Sequence, residues 1–213
     1  MKSLNDYFDE IYVINMEHDK KRLLRCIERF AKLNSTFVRV PGVVRNAAKT
    51  EPDRRYGCCM SKVTCMRLGL EAGHKRILCC EDDVVFHPHI LEYISELASP
   101  DYDFLWLHPG MPYSPERLRW DTGANLFAEY RPQRFDHCRA IGNLSQEKID
   151  YFLECLAIDD SIPSDQYLIR YPKPNWRYFV ARKHYAIQAD GWSNISEEEV
   201  SRFDMIDREG WDL

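Results

Sequence analysis

The sequence predicts an α/β domain built on a mainly parallel, Rossmann-type central sheet with helices on both faces. Three observations carry that prediction. Compact apolar runs rich in β-branched and aromatic residues recur through the first 110 residues. Segments with apolar side chains at helical spacing lie between most of them. The alternation of the two patterns is the signature of strands buried beneath crossover helices.

The first strand is Phe8–Asn15 (FDEIYVIN). Residues Asp19–Leu33 follow as one amphipathic helix, with Leu23, Ile27, Phe30 and Ala31 on its apolar side and cations elsewhere. Thr36–Val40 is the second strand, closed by Pro41-Gly42. Ser61–Ala72 reads as a helix with Val63, Met66 and Leu70 on one face, ended by Gly73. Arg76–Cys80 is the third strand and runs straight into Glu81-Asp82-Asp83. Pro88 opens a helix carrying Ile90, Leu91, Ile94 and Leu97. Asp103–Leu107 is the fourth strand and stops at His108-Pro109-Gly110.

The second half is less regular. Residues 111–135 hold Pro112, Pro115 and Pro132 and read as loops with short strands. Ser145 begins a helix bearing Ile149, Phe152, Leu153 and Leu156, and Ser164 caps a short one containing Asp165 and Leu168. Trp176–Ala181 and His184–Gln188 are late strands, and the charged segment Ser196–Gly210 is helical at best. There is no internal repeat and no low-complexity linker. The chain reads as a single domain, 1–213, whose regular half ends near 110 and whose irregular half begins near 111.

Composition narrows the class. With 29 Lys and Arg against 34 Asp and Glu, the formal net charge is −5, the wrong sign for a dedicated nucleic-acid binder. An aromatic content of 13% and only 9 glycines argue against disorder and collagen-like repeats. No apolar run approaches the roughly 18 residues that cross a bilayer. The opening MKSLNDYFDE turns acidic where a secretory signal would be apolar. Eight cysteines include the adjacent pairs Cys58–Cys59 and Cys79–Cys80 but no C-x-x-C. They suggest small buried side chains rather than a disulfide or zinc framework, and hence a reduced, cytoplasmic, soluble protein.

The stretch richest in chemistry is Ile77–Phe86, ILCCEDDVVF. It puts three carboxylates at the C-terminal end of a central strand, where open α/β sheets bind their ligands. Carboxylates crowded together repel, and burying them is costly without a cation. A divalent ion with oxygen ligands, Mn²⁺ or Mg²⁺, is the natural compensation and would bridge carboxylate to phosphate. A solvated acidic turn capping the next helix is the plainer alternative. The motif alone leaves both open.

The acidic triplet after a hydrophobic strand resembles the D-x-D motif of nucleotide-sugar glycosyltransferases of the GT-A fold. More narrowly, the chain is similar to glycosyltransferase family 25, which includes lipooligosaccharide and collagen galactosyltransferases. The resemblance rests on Ile11–Met16 (IYVINM), the basic helix with Arg22, Tyr56–Lys62 (YGCCMSK), Ile77–Val84, Ile162–Leu168 (IPSDQYL) and Ile187–Ile195 (IQADGWSNI). Together these blocks span Phe8 to about Ile195.

The resemblance implies roles. Ile14 and Asn15 would meet the nucleotide base and Arg22 the diphosphate. Ser61, Lys62, Asp82, Gln188 and Ser193 would lie on the donor side, with Glu81 at the first acidic position of the motif. Asp83 would ligate the metal, with Asp190 as second ligand. Two positions depart from the family pattern: Lys62 replaces a histidine, and Gln188 stands where some relatives carry a metal-binding histidine. The implied activity moves a hexose-type sugar, UDP-linked, to a glycan, lipid-linked or protein acceptor hydroxyl. Residues 1–110 would then be the nucleotide-sugar half and 111–213 the acceptor half, and the whole a catalytic core that family members often extend with further domains.

Departure of a nucleoside diphosphate leaves concentrated negative charge, which a bound cation stabilises. Arg22 and Lys62 offer further charge, although cations beside a helix more often face solvent. An inverting reaction also needs a base on the acceptor side. Asp165 is the candidate, with Asp121 and the pair Asp159-Asp160 behind it; an aspartate opening a helix equally serves the helix dipole. Retention of configuration would need no such base.

The remaining polar groups read more plainly. His87 and His89 flank a helix entrance, and His108, just after a strand, suits the surface better than the cleft. Trp106, Trp120 and Trp176 suit the core better than a sugar platform, whereas Trp192 lies in the polar late loop. Two other classes compete with the transferase. One is a magnesium-dependent phosphoryl-transfer or phosphatase-type hydrolase, disfavoured because Glu81 holds the position of an aspartate nucleophile. The other is a non-catalytic module of a larger protein.

Overall fold

Strand β1 (Glu10–Asn15) lies between β2 (Val38–Pro41) and β3 (Ile77–Glu81), parallel to both. These come from a computed structural model of the chain, which describes residues 2–97, 101–107, 127–129, 138–181, 185–189, 191–193 and 198–200. The sheet continues through β7 (Cys138–Ile141), β5 (Phe104–Trp106), β8 (Tyr178–Ala181) and β6 (Phe127–Glu129). Its seven strands are ordered β2-β1-β3-β7-β5-β8-β6. Five run the same way, while β7 and β6 run against their neighbours. The predicted mainly parallel α/β architecture is therefore present.

The unbroken apolar character of β1 and β3 has a direct cause. Tyr12, Ile14, Ile77 and Cys79 enter one core, while Ile11, Val13, Leu78 and Cys80 enter a second on the opposite face. A strand covered on both sides has no solvent face on which to alternate. Helix α2 (Glu51–Glu71), α4 (Gln146–Ile158) and α5 (Ser164–Arg170) supply side chains to the first core. Helix α1 (Lys20–Lys32) and α3 (Ile90–Leu97) supply the second. Trp106 and Trp176 are core residues, at 1% and 6% exposure. All eight cysteines are free thiols and seven are buried.

Three expectations need correction. Helix α1 is rotated from its predicted phase: Cys26, Phe30 and Leu33 are buried, whereas Leu24 is 60% and Ile27 47% exposed. That rotation turns Arg22 towards the acidic turn and Arg29 towards Val84 just beyond it, whose carbonyl accepts from Arg29 Nη1 at 3.0 Å. Helix α2 starts at Glu51 rather than Ser61. Its Thr50 hydroxyl accepts the Asp53 N–H, and a proline, Pro52, sits in the first turn. At the other end, Gly73 takes a φ of +78°, as expected of the residue closing a helix. Finally, Glu198–Val200 is a strand, β11, antiparallel to β10 (Gly191–Ser193), and not part of a helix.

One small ribbon positions the site. Strand β4 (Val84–Phe86) pairs antiparallel with β9 (Ala186–Gln188), setting Val84 opposite Gln188. The Ala189 N–H then donates to the Asp83 carbonyl at 2.7 Å. Gln188, remote in sequence, is thereby fixed beside the acidic turn. No described helix is long and apolar enough to cross a membrane.

Candidate functional site

A cavity of ≈ 320 Å³ opens at the C-terminal ends of β1 and β3. Its walls are Ile14 of β1 with Met16 and His18 just beyond it, the acidic residues at the end of β3, Arg22 of α1, Gln188 of β9, and the loop from β2 into α2 with the first turns of that helix. The volume falls at the lower end of small-ligand sites.

On one wall, all three carboxylates have protein partners. Glu81 Oε1 lies 3.2 Å from Lys62 Nζ and accepts from Cys58 Sγ at 3.5 Å. Arg22 Nη2 sits between the two aspartates, 2.7 Å from Asp82 Oδ1 and 2.5 Å from Asp83 Oδ2. Asn15 Nδ2 donates to Asp82 Oδ2 at 2.6 Å, and Gln188 Nε2 to Asp83 Oδ2 at 2.9 Å. Asp83 Oδ1 is buried and accepts no hydrogen bond from any of the described residues.

The electrostatics of this cluster are lopsided. Burial pushes the Asp82 carboxyl up to about 7, although Arg22 and Asn15 pull the other way. Burial also works to lower the Arg22 pKa, but Asp83 and Asp82 outweigh it and the net shift is upward. The arginine keeps its charge, and Asp82 takes up a proton at unusually high pH.

The facing wall is a loop welded to α2. The Val43 N–H donates to Ser61 Oγ at 2.8 Å, and that hydroxyl donates to the Gly57 carbonyl at 2.7 Å. A Cβ on Gly57 would stand 2.3 Å from the Val43 carbonyl oxygen, so only glycine permits this approach. Arg54 Nη1 donates to the Ala48 carbonyl at 3.1 Å. Asp53 accepts from Arg45 Nε at 2.9 Å, Asn46 Nδ2 at 3.0 Å and Thr50 Oγ1 at 2.7 Å. Arg45 also pairs with Asp160 and stacks on Tyr56. Within this frame Asn46, Ala47 and Ala48 take φ values of 47°, 56° and 53°. Three consecutive left-handed residues without a glycine are strained, and such strain persists only where surrounding contacts over-determine it.

Of the residues named from sequence, Ile14, Arg22, Ser61, Glu81, Asp82, Asp83 and Gln188 meet in this cavity. Asn15 stands behind it, 2% exposed, holding Asp82; Arg39 Nε donates to its Oδ1 at 2.9 Å. Lys62 likewise stands behind Glu81, 4% exposed and 3.4 Å from Ser164 Oγ. The expectation that Arg22 and Lys62 face solvent is thus overturned, because each is turned inward by a carboxylate. Asp165 is buried on α5 and does not line the cavity. Ser193 lies on β10, among the residues described by backbone alone. Asp121, Asp190, His108 and Trp120 lie outside the described residues. Sequence reasoning missed His18, Asp53, Arg54, Gly57 and Cys58 as wall residues. The Thr50-x-x-Asp53 start with Pro52 was the available signal, since it places a helix N-terminus at this wall.

No protein-family model and no curated protein matches the chain. Among solved structures it is similar to a glycosyltransferase involved in glycosylation of the major capsid of PBCV-1. That match has a TM-score of 0.52 and 10% identity, and covers 88% of this chain and 95% of that one. The two share a fold. A second neighbour, A197 from STIV, has a TM-score of 0.49 at 13% identity, covering 93% and 95% of the two chains.

Among the described residues no group of three or more His, Cys, Asp and Glu gathers as a metal site. The fit to a divalent cation rests instead on Asp83 Oδ1. Asp83 lines the cavity, and its Oδ1 is a buried carboxylate oxygen without a hydrogen-bond donor among the described residues. Magnesium-type ions commonly use only one or two carboxylates and take their other ligands from water and substrate phosphates. The residues present fit such a cation.

Proposed function

We propose that the chain is a glycosyltransferase of the GT-A type that takes a UDP-linked hexose and transfers it to a glycan, lipid-linked or protein acceptor hydroxyl. The observation that carries this reading is Asp83, a carboxylate lining the strand-end cavity whose buried Oδ1 lacks a hydrogen-bond donor among the described residues. The fold shared with a viral glycosyltransferase and the family-25-like blocks support it.

In this reading Asp83 holds Mn²⁺ or Mg²⁺, with Asp190, two residues beyond Gln188, as the second ligand. The ion, when bound, neutralises charge developing on the departing diphosphate. The chain's own residues do the rest. Ile14, Met16 and Val43 offer apolar surface to the base, and the strained loop keeps that wall from retreating. Arg22 and Arg54 bring guanidinium groups suited to phosphate oxygens. Lys62 and Asn15 work from behind, holding Glu81 and Asp82 in place. Asp165 as acceptor base rests on the resemblance alone; Asp165→Asn should keep UDP affinity and stop transfer, and unchanged turnover would remove it from the mechanism.

Calorimetric screening of UDP-, GDP- and CMP-sugars with Mn²⁺ tests the donor class. UDP-sugars should bind and be hydrolysed or transferred. Failure of every nucleotide sugar to bind would refute the reading. Release of phosphate from simple esters would put a hydrolase in its place.

A further inference from the structure

The acidic turn already contains a cation of its own. Arg22 Nη2 is 2.7 Å from Asp82 Oδ1 and 2.5 Å from Asp83 Oδ2, and its Nε is 3.8 Å from Asp19 Oδ2. The side chain is 21% exposed, so one part of it borders the cavity while its charge is spent on the turn. Asp83 is held on one oxygen by Arg22 and Gln188, while its other oxygen, Oδ1, is buried with no hydrogen-bond partner among the described residues. A divalent ion binding Oδ1 would therefore stand on the same carboxylate as a guanidinium. Two cations sharing one carboxylate repel, and most strongly where water is excluded. The repulsion disappears if Arg22 acquires an anion elsewhere, and planar guanidinium groups take phosphate oxygens in paired hydrogen bonds.

From this geometry we infer that Arg22 is an internal counter-cation that keeps free divalent ions off Asp83 and yields only to an ion arriving with an anionic phosphate ligand. The inference rests on the glycosyltransferase reading for its ligand and adds to it an order of events. A metal ion without nucleotide binds poorly. A metal ion and a diphosphate bind together, because the diphosphate gives Arg22 a new partner. Arg22 is on this view a positioning residue whose effect appears in metal affinity, separately from turnover.

The test is Mn²⁺ binding without nucleotide, read by the electron paramagnetic resonance signal of free Mn²⁺ with the full chain. Removing the guanidinium in Arg22→Gln should tighten Mn²⁺ binding, by roughly 5- to 150-fold on the usual scale of coupling between two sites. Arg22→Lys, which keeps a charge but not the fork, should fall between native and Arg22→Gln. The gain must vanish in the double variant Arg22→Gln, Asp83→Asn. In the native chain, saturating UDP should raise Mn²⁺ affinity, and that dependence on UDP should shrink in Arg22→Gln. Equal Mn²⁺ affinities for native and Arg22→Gln would overturn the proposal, as would a gain that survives Asp83→Asn. If Arg22→Gln does not fold, equal affinities for native and Arg22→Lys overturn it in the same way. A separate titration of UDP with Mn²⁺ keeps the two claims apart. Absence of UDP binding removes the transferase reading, whereas Arg22-independent Mn²⁺ binding with UDP still bound removes only the counter-cation.

Discussion

Replacing Asp82 by asparagine should stabilise the protein above neutral pH. Asp82 is 5% exposed, and burial raises its carboxyl from the ordinary 3.8 to about 7. Between those two values the folded chain holds a proton that the unfolded chain has released. Folding stability therefore falls as pH rises from about 4 to about 7, and levels off above that. A rise of roughly three units at about 1.4 kcal/mol each gives an upper bound of ~4 kcal/mol for the loss. Asparagine keeps an oxygen for the Asn15 amide and has no proton to lose, so the part of the slope due to Asp82 should disappear. Urea denaturation at half-unit intervals from about pH 4 to about pH 8.5, in chelator to exclude metal ions, measures it. The variant should match or trail the native chain near the acid end and exceed it at the alkaline end. A variant less stable than native at the alkaline end would refute the reasoning. It would mean that the ion pair with Arg22, and not burial, dominates this carboxylate.

Other perturbations probe the facing wall. Gly57→Ala forces a Cβ towards the Val43 carbonyl at 2.3 Å. Overpacking of this kind costs about 1–3 kcal/mol, so the denaturation midpoint should drop and UDP affinity fall as the loop shifts; an unchanged midpoint would show that the loop moves freely. Ala47→Gly relieves a left-handed alanine at φ 56°. The relief of ~1–2 kcal/mol exceeds the added unfolded-state entropy, and thermal denaturation should show a small net gain; a lower midpoint would deny the strain. Arg54→Met should weaken UDP binding about tenfold, or ~1.4 kcal/mol, without lowering Mn²⁺ affinity in its absence. Calorimetry with unchanged UDP affinity would take Arg54 out of the donor site.

The strands were legible in the sequence because burial on both faces leaves long apolar runs, as at Ile11–Ile14 and Ile77–Cys80. Helix α1 was legible as a helix but not in phase. Its exposed Leu24 and Ile27 mimic a core face, while the true inner side carries Arg22, Cys26 and Arg29. Paired charges facing inward invert the usual hydropathy rule. The first half of α2 was hidden because Glu51–Arg55 is charged apart from Pro52, and Tyr56–Met60 carries Gly57 and two cysteines in place of a periodic apolar face. At the site, the acidic turn was readable from local sequence. The wall opposite it was not, because Ser61 to Val43, Gly57 to Val43 and Arg45 to Asp160 are tertiary contacts. The inward turn of Lys62 is of the same kind, set by Glu81 from another element.

The central claim is that Asp83 holds the cation through which a nucleoside diphosphate is bound. Its most direct test is a calorimetric titration of UDP into the native chain and into Asp83→Ala, each with Mn²⁺ and with chelator. Binding is expected to the native chain with Mn²⁺ only, and none to Asp83→Ala under either condition. Equal UDP binding in chelator, or an undiminished affinity in Asp83→Ala, would contradict the claim.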